Sequence, residues 1–122
     1  MPYLLEQNHP KSTWTLCSGA QGDFGQRAGP SMTQGAVYSL CNVACRDNET
    51  TNVRFNEVYL AMRVEVDADA EKSGMNKASD FAANYQQLLV REDVRSCRVT
   101  VMEREDFTEL RFRPKKFELR LH

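Results

Sequence analysis

The sequence predicts an α/β fold, the half of a doubly wound, mostly parallel sheet with a short C-terminal β extension. Three observations carry that expectation. Extended, β-forming stretches occur at residues 13–17, 52–67 and 96–103. Helical apolar spacing fills the intervals at residues 33–46 and 78–90. A strand, helix, strand, helix, strand order needs right-handed crossovers, and such crossovers make the strands parallel. The 122 residues suffice for a single domain, large enough to bury a core without disulfides or metals.

Residues 1–12 read as the end of a helix and a turn, because Pro10 biases His9 away from helical backbone. Thr13-Trp14-Thr15-Leu16-Cys17 is rich in β-formers and becomes the first strand. Four of the six glycines lie in residues 18–30, which predicts a flexible connection. Val37, Leu40, Cys41 and Ala44 then share one helical face, and residues 47–52 form a polar turn. Residues 52–67 alternate apolar with polar side chains, except for a phase slip near Asn56 that predicts a bulge or bend. Residues 67–77 are polar, contain Gly74 and read as a loop. Ser79 is placed to cap a helix whose buried face is Phe81, Ala82, Tyr85, Leu88 and Leu89. Cys97, Val99 and Val101 share one face of the next strand, and short strands follow at residues 107–113 and 117–121.

Composition narrows the function classes. Sixteen basic against seventeen acidic residues give a net charge of −1, without the concentrated positive field that a nucleic-acid or anionic-membrane partner requires. No run of 18 apolar residues exists, nor a basic segment leading into an apolar core, so neither a membrane span nor a secretory signal is expected. The four cysteines, Cys17, Cys41, Cys45 and Cys97, show no Cys-x-x-Cys spacing, and the two histidines, His9 and His122, are far from them in sequence. Free thiols in a reducing, cytoplasmic compartment are expected, rather than disulfides or a metal site.

Specific motifs appear along this frame. Leu4-Leu5, then Ser12-Thr13-Trp14-Thr15-Leu16-Cys17-Ser18-Gly19, then Gly29-Pro30-Ser31-Met32-Thr33-Gln34-Gly35-Ala36-Val37 form one series. Asn52-Val53-Arg54-Phe55-Asn56-Glu57-Val58 and residues 78–101 continue it. Together they resemble the C-terminal half of a short-chain dehydrogenase/reductase, nearest to divergent fungal members, some of which sit in natural-product gene clusters. The resemblance implies a single truncated, Rossmann-like domain over residues 1–122. It places Ser18 where the family has its catalytic serine, at the end of its fifth strand.

The departures from the family pattern bear on chemistry. Gly19-Ala20-Gln21-Gly22-Asp23-Phe24-Gly25 does not read Gly-x-Gly-x-x-Gly, the turn that lets backbone N–H groups hold a pyrophosphate. Aligned on Gly35-Ala36, the family's Tyr-x-x-x-Lys pair becomes Pro30 and Gln34, which can neither donate a proton nor lower a tyrosine pKa. The Pro-Gly that closes over a nicotinamide is Leu60-Ala61. No cofactor is therefore expected, and an autonomous NAD(P)-dependent oxidoreductase is not.

A pocket at the carboxyl ends of the strands would hold the remaining chemistry. The candidate catalytic residues are Ser18, to bind a carbonyl, and Asp23 and Arg63, to move a proton or hold an enolate. The expected function is a cofactor-independent isomerase, cyclase or dehydratase acting on an apolar natural-product intermediate. The alternative is a non-catalytic pseudoenzyme that pairs with or regulates a full-length relative. A homodimer is expected through Val37, Leu40, Cys41 and Ala44, joined by Phe81, Tyr85 and residues 117–121.

Overall fold

The computed structural model describes residues 2–116. In chain order it forms α1 (Pro2–Gln7), β1 (Thr13–Gly19), α2 (Gln21–Phe24), α3 (Ala28–Asp47), β2 (Arg54–Leu60), β3 (Val64–Glu65), α4 (Asp67–Ser73), β4 (Asn76–Lys77), α5 (Ala78–Val90), β5 (Cys97–Val101) and β6 (Phe112–Pro114). A 3₁₀ turn, Arg104–Phe107, separates β5 from β6. The main sheet has the order β1-β2-β5-β6. β1, β2 and β5 run parallel and β6 antiparallel to β5, so the predicted half-sheet with its β extension is what the chain forms.

β2 is the centre of the molecule, with six of its seven residues buried. Its α5 face carries Val58, which joins Leu88, Val94, Cys97, Val99, Val101, Phe107 and Leu110 in the main core. Burying these aliphatic and aromatic side chains stabilises the fold by about 1.5–3 kcal/mol each. The opposite face carries Phe55, Glu57 and Tyr59 under α3, whose Cys41 and Cys45 are fully buried. Burial pushes the Cys41 thiol up to about 11 and the Cys45 thiol to about 12, so both stay protonated.

The structure corrects several expectations. Register runs unbroken from Thr13↔Arg54 to Gly19↔Leu60, so no bulge lies at Asn56. The phase slip arises because both faces of β2 are covered, and alternation loses its meaning in such a strand. Asn56 and Glu57 are both buried, each held by its own polar partners. The long extended signal breaks after Leu60 and resumes only as the two-residue β3, and residues 67–77 hold α4 and the two-residue β4 rather than a loop. α4 ends at Gly74, whose φ of 77° closes the helix in the left-handed conformation. Ser79 does not cap α5 with its side chain; Asp67 Oδ1 accepts the Ser79 backbone N–H at 3.1 Å instead. The glycine-rich segment is largely ordered as α2 and the start of α3, with Pro30 in the first turn, where its missing N–H costs no hydrogen bond. The strand expected at 107–113 is reduced to β6, and the one expected at 117–121 lies outside the described residues.

Candidate functional site

α3 covers β1 and β2 but leaves the same face of β5 and β6 open. The resulting cleft has a volume of about 820 Å³ and runs from the carboxyl ends of the parallel strands down toward β6. Asp23, Asn42, Tyr59 and Thr100 line it together with Arg98, Arg111, Arg113, Lys115 and Lys116. Apolar lining comes from Met102, Phe112 and Pro114.

Beneath the cleft is a buried charge network. Glu57 is fully buried in the middle of β2. Its Oε1 accepts hydrogen bonds from Lys115 Nζ at 2.6 Å and Arg98 Nε at 3.1 Å. Its Oε2 accepts from Arg98 Nη2 at 3.2 Å and from Ser18 Oγ at 2.5 Å. Lys115 also donates to Asn42 Oδ1 at 2.6 Å, tying β6 to α3. Burial alone would raise the Glu57 pKa, but the bonds from Lys115, Ser18 and Arg98 outweigh it and hold the carboxyl below its ordinary value.

Above the network, the Arg98 guanidinium lies 4.7 Å from the Tyr59 ring centroid and 5.0 Å from that of Tyr38. Tyr59, buried, donates its hydroxyl to Asp23 Oδ2 at 2.6 Å. Burial, and then the bond and charge of Asp23, raise the Tyr59 pKa well above the phenol range, so it remains a proton donor. Asp23 itself is exposed on α2 at the mouth of the cleft.

Of the residues expected from the sequence, Asp23 lines the cleft directly. Ser18 lies at the carboxyl end of β1 as expected, but it is buried and its hydroxyl is committed to Glu57. Arg63 stands apart: its side chain is 71% exposed and pairs with Glu65 at 2.8 Å, outside the cleft lining. Sequence reasoning missed Glu57, Tyr59, Arg98 and Lys115. The available signal was a charged residue inside the longest extended stretch, Asn56-Glu57-Val58, where a buried strand admits charge only if it is paired.

The turn after β1 does not fit a dinucleotide. The Gly19 N–H is taken by Gln34 Oε1 at 2.8 Å, and the Gly19 carbonyl accepts the Tyr38 hydroxyl. A Cβ on Gly22 would come within 2.6 Å of the Tyr38 ring, so the glycine makes room for a tyrosine rather than a pyrophosphate. α2 spans only Gln21–Phe24 and offers no extended helix N-terminus. The Gln34 side chain accepts the Gly19 backbone N–H, and Pro30 is exposed on the first turn of α3. Among the described residues no cluster of His, Cys, Asp and Glu could hold a metal ion.

A parallel β1-β2-β5 sheet with helices on both faces and a cleft at its carboxyl edge is a partial Rossmann-like fold. Over 120 residues the chain is 45% identical to the short-chain dehydrogenase/reductase iacG of Pestalotiopsis fici (strain W106-1 / CGMCC3.15140). The chain is thus similar to about half of a short-chain dehydrogenase/reductase. The match covers 94% of the chain and 48% of that relative, so the chain spans about half the length of the curated protein it matches. No protein-family model matches it, and no solved structure matches it significantly.

Proposed function

We propose that the chain acts as a cofactor-independent, non-redox enzyme, an isomerase, cyclase or dehydratase that moves a proton beside a carbonyl group. The observation that carries this reading is the Asp23–Tyr59 pair, 2.6 Å apart at the mouth of a basic cleft. Asp23 Oδ1 would take a proton from the carbon next to a substrate carbonyl; the C–H electron pair would become a C=C bond and the C=O π pair would move onto the oxygen. The positive charge of Arg98, which lies over the Tyr59 ring, would stabilise the enolate as it forms. Return of the proton to another carbon gives an isomer; its delivery to a departing hydroxyl gives an alkene and water. Ser18 supports this arrangement from below through Glu57 and Arg98, and Arg63 has no part in it. The lining favours a substrate with a polarised or anionic oxygen over the wholly apolar intermediate expected from the sequence. The four free cysteines suit a reducing, cytoplasmic location, and no helix among the described residues is long and apolar enough to cross a membrane.

Deuterium uptake from D₂O into a panel of 3-oxo acids and esters, followed by proton NMR, tests the reading. The unmodified protein should catalyse exchange at the carbon between the two carbonyl groups. Asp23→Asn should slow it by about 10²–10⁴-fold, the usual share of a positioned general base. Asp23 is exposed, so the variant should keep its melting temperature. Exchange no faster than with Asp23→Asn, across the whole panel, would overturn the proposal.

A second reading, a pseudoenzyme that pairs with itself or with a full-length relative, is favoured by the surface of α3. Met32, Leu40 and Val43 are 74%, 56% and 56% exposed along this helix, and β1 has no outer strand neighbour among the described residues. The expected interface changes in detail. Cys41 is fully buried against the sheet, and Phe81 and Tyr85 pack against the core. Met32, Leu40 and Val43 are the residues an interface would use. Light scattering at low micromolar concentration should give the mass of two chains, and Leu40→Asp should give one with an unchanged circular dichroism spectrum. A single-chain mass for the unmodified protein would remove self-pairing through this face.

A further inference from the structure

We infer that the β6 side of the cleft is a binding site for the carboxylate of a 3-oxo acid. The inference rests on the Asp23–Tyr59 reading and names the substrate class and its orientation. Arg98 on β5 and Arg113 on β6 are direct cross-strand partners, and both line the cleft. Like charges directly opposite one another destabilise a strand pair. Arg98 is compensated by Glu57 through Nε and Nη2, an arrangement that leaves its Nη1 uncommitted among the described contacts. Arg113 forms no ion pair among the described residues, and Lys116 adds a further positive charge at the same end of the cleft. The lining holds five cationic side chains and one carboxylate, Asp23. The buried acid behind them, Glu57, is already matched by Arg98 and Lys115, and Asp106 is matched by Arg111. An anion seated between Arg98 and Arg113 would relieve the repulsion, and a planar carboxylate suits the forked donors of a guanidinium.

Charge also sets the orientation. Asp23 repels an anionic head, so the head lies toward β6 and the carbonyl end of the molecule toward Asp23 and Tyr59. Thr100 and Asn42 line the wall between the two ends and supply a hydroxyl and an amide along the path. The volume of about 820 Å³ accommodates such a molecule with a sizeable carbon skeleton.

The test is a titration of the ¹⁵N-labelled full chain with acetoacetate, its methyl ester and inorganic phosphate at constant ionic strength, read by amide shifts. Acetoacetate should saturate with a Kd below about 1 mM, with the largest shifts at Asn42, Thr100 and Arg113. The uncharged ester and phosphate should each bind at least tenfold more weakly. Arg113→Glu and Lys116→Glu, both at exposed positions, should keep a folded spectrum and weaken acetoacetate at least tenfold. Asp23→Asn should tighten it, because the repelling carboxylate is gone. Non-saturating shifts, equal binding of ester or phosphate, or an Arg113→Glu variant that binds as before would each overturn the inference. Acetoacetate that binds as predicted without deuterium exchange would leave this site standing and remove the proton-transfer reading alone.

Discussion

Glu57→Leu should cost the fold about 3–5 kcal/mol, the usual effect of removing one partner from a buried ion pair. Glu57 is fully buried, and the Lys115 side chain is only 8% exposed. With the carboxylate gone, Lys115 keeps Asn42 as its acceptor, and Arg98 keeps only its contacts with the two tyrosine rings. Leucine fills similar volume, so the loss reports charge rather than a cavity. Domains of this size are stable by about 5–15 kcal/mol in total, and the variant should therefore lie close to its unfolding threshold. Urea denaturation followed by circular dichroism measures it; a loss below about 1 kcal/mol would show that the network contributes little. Glu57→Gln, which keeps shape and hydrogen bonding, should fall between the two. The same carboxylate predicts a pH dependence. Glu57 and Asp106 are both held below their ordinary values, Asp106 by Arg111 and the Met102 and Glu103 backbone N–H groups, against an opposing effect of burial. A depressed carboxyl stabilises the fold above its unfolded pKa, and that stability is lost as pH falls. Unfolding free energy should thus hold down to about pH 5 and decline below about pH 4, with a shallower decline in Glu57→Gln.

Arg54→Met should destabilise by about 3 kcal/mol or more, through a different cause. Arg54 is 3% exposed at the start of β2, and its guanidinium spreads across the C-terminal end of α5. Nη1 donates to the Arg91 and Val94 carbonyls at 2.8 and 2.9 Å, and Nη2 to those of Leu88 and Leu89 at 2.9 and 3.4 Å. Leu88 and Leu89 lie in the last turn of α5, whose carbonyls a helix leaves unsatisfied, and a cation there also complements the helix dipole. Asn56 reinforces the same corner: its amide donates to the Val94 carbonyl and its Oδ1 accepts the Cys97 N–H, both at 2.9 Å. Methionine retains the packing and removes every one of the guanidinium donors. Arg54→Lys should recover part of the loss, since one ammonium cannot reach acceptors on two sides. Hydrogen exchange gives a local readout, with faster exchange at the amides of Leu88, Leu89 and Val94 in Arg54→Met. An Arg54→Met variant as stable as the parent would contradict the capping role.

Periodicity made the helices at 78–90 and within 28–47 legible, because each buries one stripe against a sheet. The same signal misled on β2. A strand covered on both sides has no polar face, and Asn56 and Glu57 looked like a fault in an alternating pattern when they are paired inside it. α4 was hidden for the opposite reason: Asp67, Asp69, Glu71 and Lys72 bury only Ala70 between them, leaving no apolar face to detect. The site was partly legible. Asp23 was placed by its position after the first strand, and Ser18 by family resemblance. The cleft itself was not, because Arg98, Arg113 and Lys115 come together only through the pairing of β5 with an antiparallel β6. Their alternation along short strands reads in sequence as a solvated edge.

On the proposed non-redox reading no dinucleotide binds this chain, whose turn after β1 is filled by Tyr38 and Gln34. Calorimetric titration of the full chain with NAD(H) and NADP(H) tests it most directly. All four nucleotides should bind no more tightly than roughly millimolar, about −4 kcal/mol. A micromolar dissociation constant for any of them would contradict it.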